Sequence, residues 1–145
     1  MAFFARISKG FLLAMAFLYG FAMLGLWYAQ ESFLFSRRHE ASPVVADVGW
    51  RRETVTVLGL GEQAFLVGEH QEREGLPVVL FLHGNSTSAN LAASRGALAL
   101  AVRGFRVVVG EYPGYAGNPG VPSEAGLRAN AEAMAAFARR TWPGR

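Results

Sequence analysis

Nineteen consecutive residues, Phe11 to Ala29 (FLLAMAFLYGFAMLGLWYA), carry no charged side chain. As an α-helix rising ~1.5 Å per residue, this run reaches ~28 Å, close to the ~30 Å hydrocarbon core of a bilayer. Arg6 and Lys9 precede it, and Trp27 and Tyr28 stand at its far end, where interfacial aromatics belong. A cleaved signal peptide is the rival reading, and needs an apolar run of only ~7–15 residues with a small-x-small cleavage site. Trp27, two residues before Ala29, spoils that site, while cleavage after Ala22 or Gly25 stays open. A buried core helix is the third reading, but nothing polar punctuates this run. The expected organisation is a cytoplasmic N-terminus (1–10), a transmembrane helix (11–29), a connector (30–47) and a folded domain (48–145). Arg and Lys before the span slightly outweigh the balance after it, where Glu31 and Glu40 accompany Arg37 and Arg38. The N-terminus is therefore expected in the cytoplasm, the folded part on the opposite side, and membrane lipid as a partner of residues 11–29.

What remains of the 145 residues suffices for one domain. There is no cysteine, which excludes disulfides and thiolate metal sites. The net charge of +3 rests on arginine, since Lys9 is the only lysine. The arginines stand singly or in pairs such as Arg51-Arg52 and Arg139-Arg140. Without a run of like charges, no nucleic-acid partner is expected.

The folded part alternates between β-like and helix-like stretches. Thr54–Leu58 is β-rich, Gly59–Glu62 reads as a turn, and Ala64–Val67 reads as the returning strand of a hairpin. His70 to Gly75 is a charged loop. Val78–Leu82 is uniformly apolar, as for a strand covered on both faces. Ala89–Arg103 has helical spacing, with Gly104 as its stop and Gly96 as an interruption. Phe105–Val109 is a second buried strand, and Gly110–Pro122, rich in glycine and proline, is a loop. Ser123 can cap a last helix running to about Arg140, with Glu124 in its first turn and Arg139-Arg140 in its last. Strands separated by helices imply parallel pairing in an α/β sheet.

The run VVLFLHGNSTSAN, followed by GFRVVVGEYPGYAGNPGVPSEAGL, resembles α/β-hydrolases, most closely their membrane-anchored serine hydrolases with one N-terminal span. The likeness covers roughly Ser32 to Arg140. It implies an α/β fold in which a transmembrane helix precedes the first half of an α/β-hydrolase sheet, a β-hairpin followed by β-α-β-α. It also implies that the amide after the His-Gly pair, that of Asn85, donates to the oxyanion of a tetrahedral intermediate. A donor held in place beforehand needs no reorganisation as charge develops. Gly84, Ser86, Tyr112 and Tyr115 are the substrate-cleft candidates, with packing the competing task for both tyrosines. His83 is expected to be a structural side chain beneath the loop, because the fold orders its triad as Ser, acid, His. His39 and His70 read as solvated loop residues. Related sequences carry Gly-Tyr-Gly where this one has Gly114-Tyr115-Ala116, so Ala116 is strained if its φ is positive.

No Gly-x-Ser-x-Gly elbow surrounds any serine, and Asp47, the only aspartate, precedes the first strand. The expectation is thus an N-terminal fragment of a membrane-anchored serine hydrolase of the esterase, thioesterase or lipase kind, with a small acyl ester as substrate of the full-length parent. Nucleophile, acid and base are absent, so the chain alone is expected to be inert, and no cofactor or metal is implied. A non-catalytic membrane-tethered module, or a subunit completed by another chain, is the alternative. A third reading comes from Gly59-Leu60-Gly61-Glu62-Gln63-Ala64, which matches the dinucleotide fingerprint G-x-G-x-x-G/A. It requires a helix over Gln63–Glu69, whereas the hydrolase reading requires extended chain there.

Overall fold

A computed structural model describes residues 2–35, 43–68, 70, 75–85 and 87–144, with side chains from Lys9 onward. The chain divides into two compact units, one ending at Leu34 and one beginning at Phe35.

The first unit is a single helix, α1 (Ala2–Leu34). Its Lys9–Leu34 part is long and apolar enough to cross a membrane, and none of its apolar window is buried. A signal sequence near an N-terminus meets the same criteria of length and composition. The helix runs five residues past Ala29, into the stretch expected to be connector. Gln30–Leu34 contains neither Gly nor Pro, and extending an existing helix costs far less than nucleating one.

The second unit holds a four-stranded sheet of order β1-β2-β4-β3. Strands β1 (Trp50–Val57) and β2 (Gly61–Gly68) form an antiparallel hairpin, paired from Trp50↔Gly68 to Val57↔Gly61. Strand β1 begins four residues earlier than expected. Its extra segment carries Arg51, Arg52 and Glu53, which an outer strand can turn to solvent. Strand β3 (Val78–Leu82) lies parallel to β4 (Arg106–Gly110), in register from Val78↔Arg106 to Leu82↔Gly110. Strand β4 also meets β2 antiparallel at Leu66↔Val109 and Val67↔Val108. The charged loop expected from His70 to Gly75 falls mostly outside the described residues, and His39 wholly so.

Alternation along the strands gives the sheet two apolar faces. Leu66, Val107 and Val109 face Ala89, Ala93, Ala97 and Ala101 of the helical segment between β3 and β4. Phe65, Val67 and Val108 face Met134 and Ala138 of the last helix. The first segment consists of α2 (Ala89–Ala92), a π-helical turn (Ala93–Ala97) and α3 (Leu98–Ala101). Gly96 lies in the π turn, where the Phe81 ring leaves no room for a side chain: a Cβ there would meet Phe81 Cζ at 2.9 Å. The last helix, α4 (Glu124–Thr141), is capped by Ser123, whose side chain accepts from Gly126 N.

Candidate functional site

Two loops leave the C-terminal ends of the parallel strands β3 and β4, the position at which open α/β sheets build their clefts. The first runs from His83 to Ser88. It ends where Ser88 caps α2 by accepting from Leu91 N at 3.4 Å. The second runs from Glu111 to Pro122. It is tied to the hairpin by Asn118, whose side chain donates to Ala64 O at 3.1 Å and accepts from Ala64 N at 2.8 Å.

The register brings the first residues of these loops together. Leu82 pairs with Gly110, so the next residues, His83 and Glu111, emerge side by side. Both are buried, and His83 Nε2 lies 2.9 Å from Glu111 Oε1. The same carboxylate accepts from Ala89 N at 2.8 Å through Oε2 and from Tyr112 N at 3.0 Å through Oε1. His83 Nδ1 faces the Gly84 carbonyl at 2.9 Å. The Tyr112 hydroxyl donates to the His83 carbonyl, and its ring lies 4.4 Å from the imidazole. Asn130 of α4 donates from Nδ2 to the Glu111 carbonyl, closing the network from the opposite face. Burial, then the Glu111 carboxylate, then Tyr115 hold the Tyr112 phenol above its ordinary value.

His83 is thus buried and hydrogen-bonded, and it lines a cavity of about 240 Å³ with Leu82, Gly84, Thr87, Leu91 and Arg95. Asn85 is exposed in the turn that follows. Ser86 lies outside the described residues. Tyr115 is only 4% exposed and packs edge-on against Tyr112, with ring centroids 6.0 Å apart, so its body belongs to the loop's core. Neither tyrosine lines the cavity. A larger cavity of about 440 Å³ is lined by Val45, Asp47, Trp50, Leu66, Asn90 and Leu98 among others, and contains none of the oxyanion or substrate-cleft candidates. Ala116 has φ 45°, the one positive value at a non-glycine among the described residues, so its strain is present.

Two expectations change. His70 is half-buried rather than solvated, its ring edge-on to Trp50 at 6.0 Å and against Gly49. The dinucleotide reading fails because Gly61–Gly68 is strand β2, and no helix follows the second glycine. Among the described residues, no group of three or more His, Asp or Glu side chains is arranged to hold a metal ion.

No family model matches the chain. Two uncharacterized proteins from two strains of Mycobacterium tuberculosis are 46% identical over 57 residues, which is 39% of this chain and 20% of theirs. The chain therefore spans about a fifth of the length of the curated relatives it matches. Among solved structures, a lidless α/β serine hydrolase from Xanthomonas campestris matches with TM-score 0.51 and 18% identity, over 69% of this chain and 49% of that one. A haloalkane dehalogenase from Bradyrhizobium elkani matches more loosely, with TM-score 0.46 and 22% identity, over 61% of this chain and 29% of that one. At these identities the likeness concerns architecture: a mixed α/β unit that resembles part of the α/β-hydrolase fold.

Proposed function

We propose that residues 48–145 form the N-terminal part of an α/β-hydrolase domain that cleaves acyl esters, tethered to a membrane by residues 11–29. The observation that carries this reading is the delivery of His83-Gly84-Asn85 by β3, next to the loop that leaves β4 at Glu111. In this reading the Asn85 amide is one oxyanion donor, and Gly84, which lines the smaller cavity, lets substrate approach the backbone. The nucleophile, the acid and the base belong to a segment outside these 145 residues, and the sequence supplies no elbow around any of its serines. The orientation consistent with the arginine and lysine pattern keeps the N-terminus cytoplasmic and places the hydrolase part on the other side.

Two measurements test this. The chain in detergent micelles should leave p-nitrophenyl butyrate at its buffer rate, because removing a whole triad leaves only weak residual acceleration. The genomic sequence past Arg145 should encode, in some frame, an apolar strand running into Gly-x-Ser-x-Gly. Robust turnover by the chain alone, or genomic sequence lacking the elbow in every frame, overturns the reading.

A further inference from the structure

We infer that Glu111 is the positioning residue of the oxyanion loop, fixing both ends of the 83–89 segment through one buried carboxylate paired with a doubly protonated His83. The inference deepens the hydrolase reading and depends on it for the loop's task. It stands on contacts at the two ends of the loop. At the first end, His83 Nε2 meets Glu111 Oε1 at 2.9 Å. At the other, Ala89 N donates to Glu111 Oε2 at 2.8 Å. A third donor, Tyr112 N, reaches Oε1 at 3.0 Å.

Hydrogen-bond accounting favours one charge state. One backbone amide donates to each carboxyl oxygen, contacts that favour the ionised carboxylate. A carbonyl can only accept, so His83 Nδ1, 2.9 Å from Gly84 O, must carry a hydrogen. Nε2 faces the carboxyl Oε1, and with that carboxyl ionised, as we infer, Nε2 carries one as well. The imidazole is then an imidazolium, and the side chains of the pair are 1% and 0% exposed. A buried carboxylate without such a partner would be costly, and the imidazolium meets that need. The other charged or titratable groups nearby are Tyr112, whose ring is tilted 51° against the imidazole, and Arg95, which shares the cavity lined by His83.

The consequence is local. Gly84 O is held by the ring of His83, and His83 O by the Tyr112 hydroxyl. The two successive peptide groups that lead into Asn85 are thus oriented from beneath, including the Gly84–Asn85 peptide that carries the Asn85 N–H. Loss of the carboxylate releases His83 and Ala89 together, while the strands behind them keep their own ladders.

The test is NMR of the whole 145-residue chain in detergent micelles at neutral pH, labelled with ¹⁵N, with His83→Gln identifying the His83 ring signals. Two ring N–H groups are expected on His83. Glu111→Gln should remove one of them, speed exchange of the Ala89 amide by roughly tenfold or more, and shift the Asn85 amide. The amides of Val107, Val108 and Val109 should stay in place. One ring N–H in the unsubstituted chain overturns the inference. So does a Glu111→Gln spectrum in which Asn85 and Ala89 are unmoved, or in which the change spreads through the β4 amides as a merely structural role would require. If that variant does not fold, the count of His83 ring hydrogens in the unsubstituted chain decides alone. Neither readout involves turnover, so failure here is separable from failure of the ester and genomic tests.

Discussion

Strand β1 borders the sheet with Arg51, Arg52 and Glu53, whereas the opposite border, β3, reads Val-Val-Leu-Phe-Leu. Both are outer strands, yet only β1 has the charged residues that keep outer strands from pairing with other chains. Strand β3 has an apolar composition suited to a strand with neighbours on both sides, and Leu82 is 44% exposed. The same contrast appears in the ion pairs. Arg51–Glu53 on β1 lies in partial contact with solvent, while His83–Glu111 at the end of β3 is sealed. One border is built to meet water. The other is built to be covered, and in the proposed hydrolase a further strand covers it.

The largest effect should come from the sealed pair. Glu111→Ala leaves the His83 ring and two amide donors buried without their acceptor, a change worth about 3–5 kcal/mol when one member of a buried network is lost. Urea unfolding in micelles measures it. A loss under about 1 kcal/mol would mean that the two borders do not differ in this respect. Next is the apolar border itself. Leu82→Lys places a charge on the uncovered strand and should weaken self-association of the chain by about tenfold, equivalent to ~1.4 kcal/mol, in analytical ultracentrifugation. A chain that is monomeric at every concentration without the substitution would show that β3 needs no cover.

Two substitutions probe how tightly β3 and the loop after β4 are fixed. Gly96→Ala gains up to ~1 kcal/mol of helix propensity but drives a methyl into the Phe81 ring, at a cost of ~1–3 kcal/mol. The net expectation is a loss of about 1 kcal/mol, recovered when Phe81→Leu is added. Ala116→Gly should raise stability by about 0.5–1 kcal/mol. It removes a left-handed alanine costing ~1–2 kcal/mol and returns part of that as chain entropy. Thermal melts of the single and double variants check both.

Much of this architecture is legible in the residues. The apolar run Val78–Leu82 is strand β3 with the same bounds, and Ser123, Glu124 and Arg139-Arg140 mark the two ends of α4. Strand β1 is less legible, because Arg51-Arg52-Glu53 looks like loop until the strand is known to be an outer one. The His83–Glu111 pair is the least legible part of the site. Its members stand 28 residues apart, and neither has an intrinsic signature. The signal that finds them is register: in a parallel pair, residues that follow matched strand ends emerge together. Once Leu82 is set against Gly110, the histidine and the glutamate have to be neighbours. Asn130 and Asn118 carry no comparable mark, since a buried amide in a helix or loop looks like any surface one until its partner is placed.

The smallest effect is expected at the charged border, and it makes the comparison quantitative. The Arg51 and Glu53 side chains are 44% and 26% exposed, so water screens their attraction and the remaining partner is rehydrated when the other is removed. Exposed pairs of this kind contribute about 0.2–1 kcal/mol. Arg51→Ala should therefore change the urea midpoint little, and the small change should shrink further as salt is raised. Glu111→Ala should retain its full cost in the same salt series, because a sealed pair is screened far less. Parallel salt dependences for the two variants would remove the distinction between the borders, whatever their absolute costs.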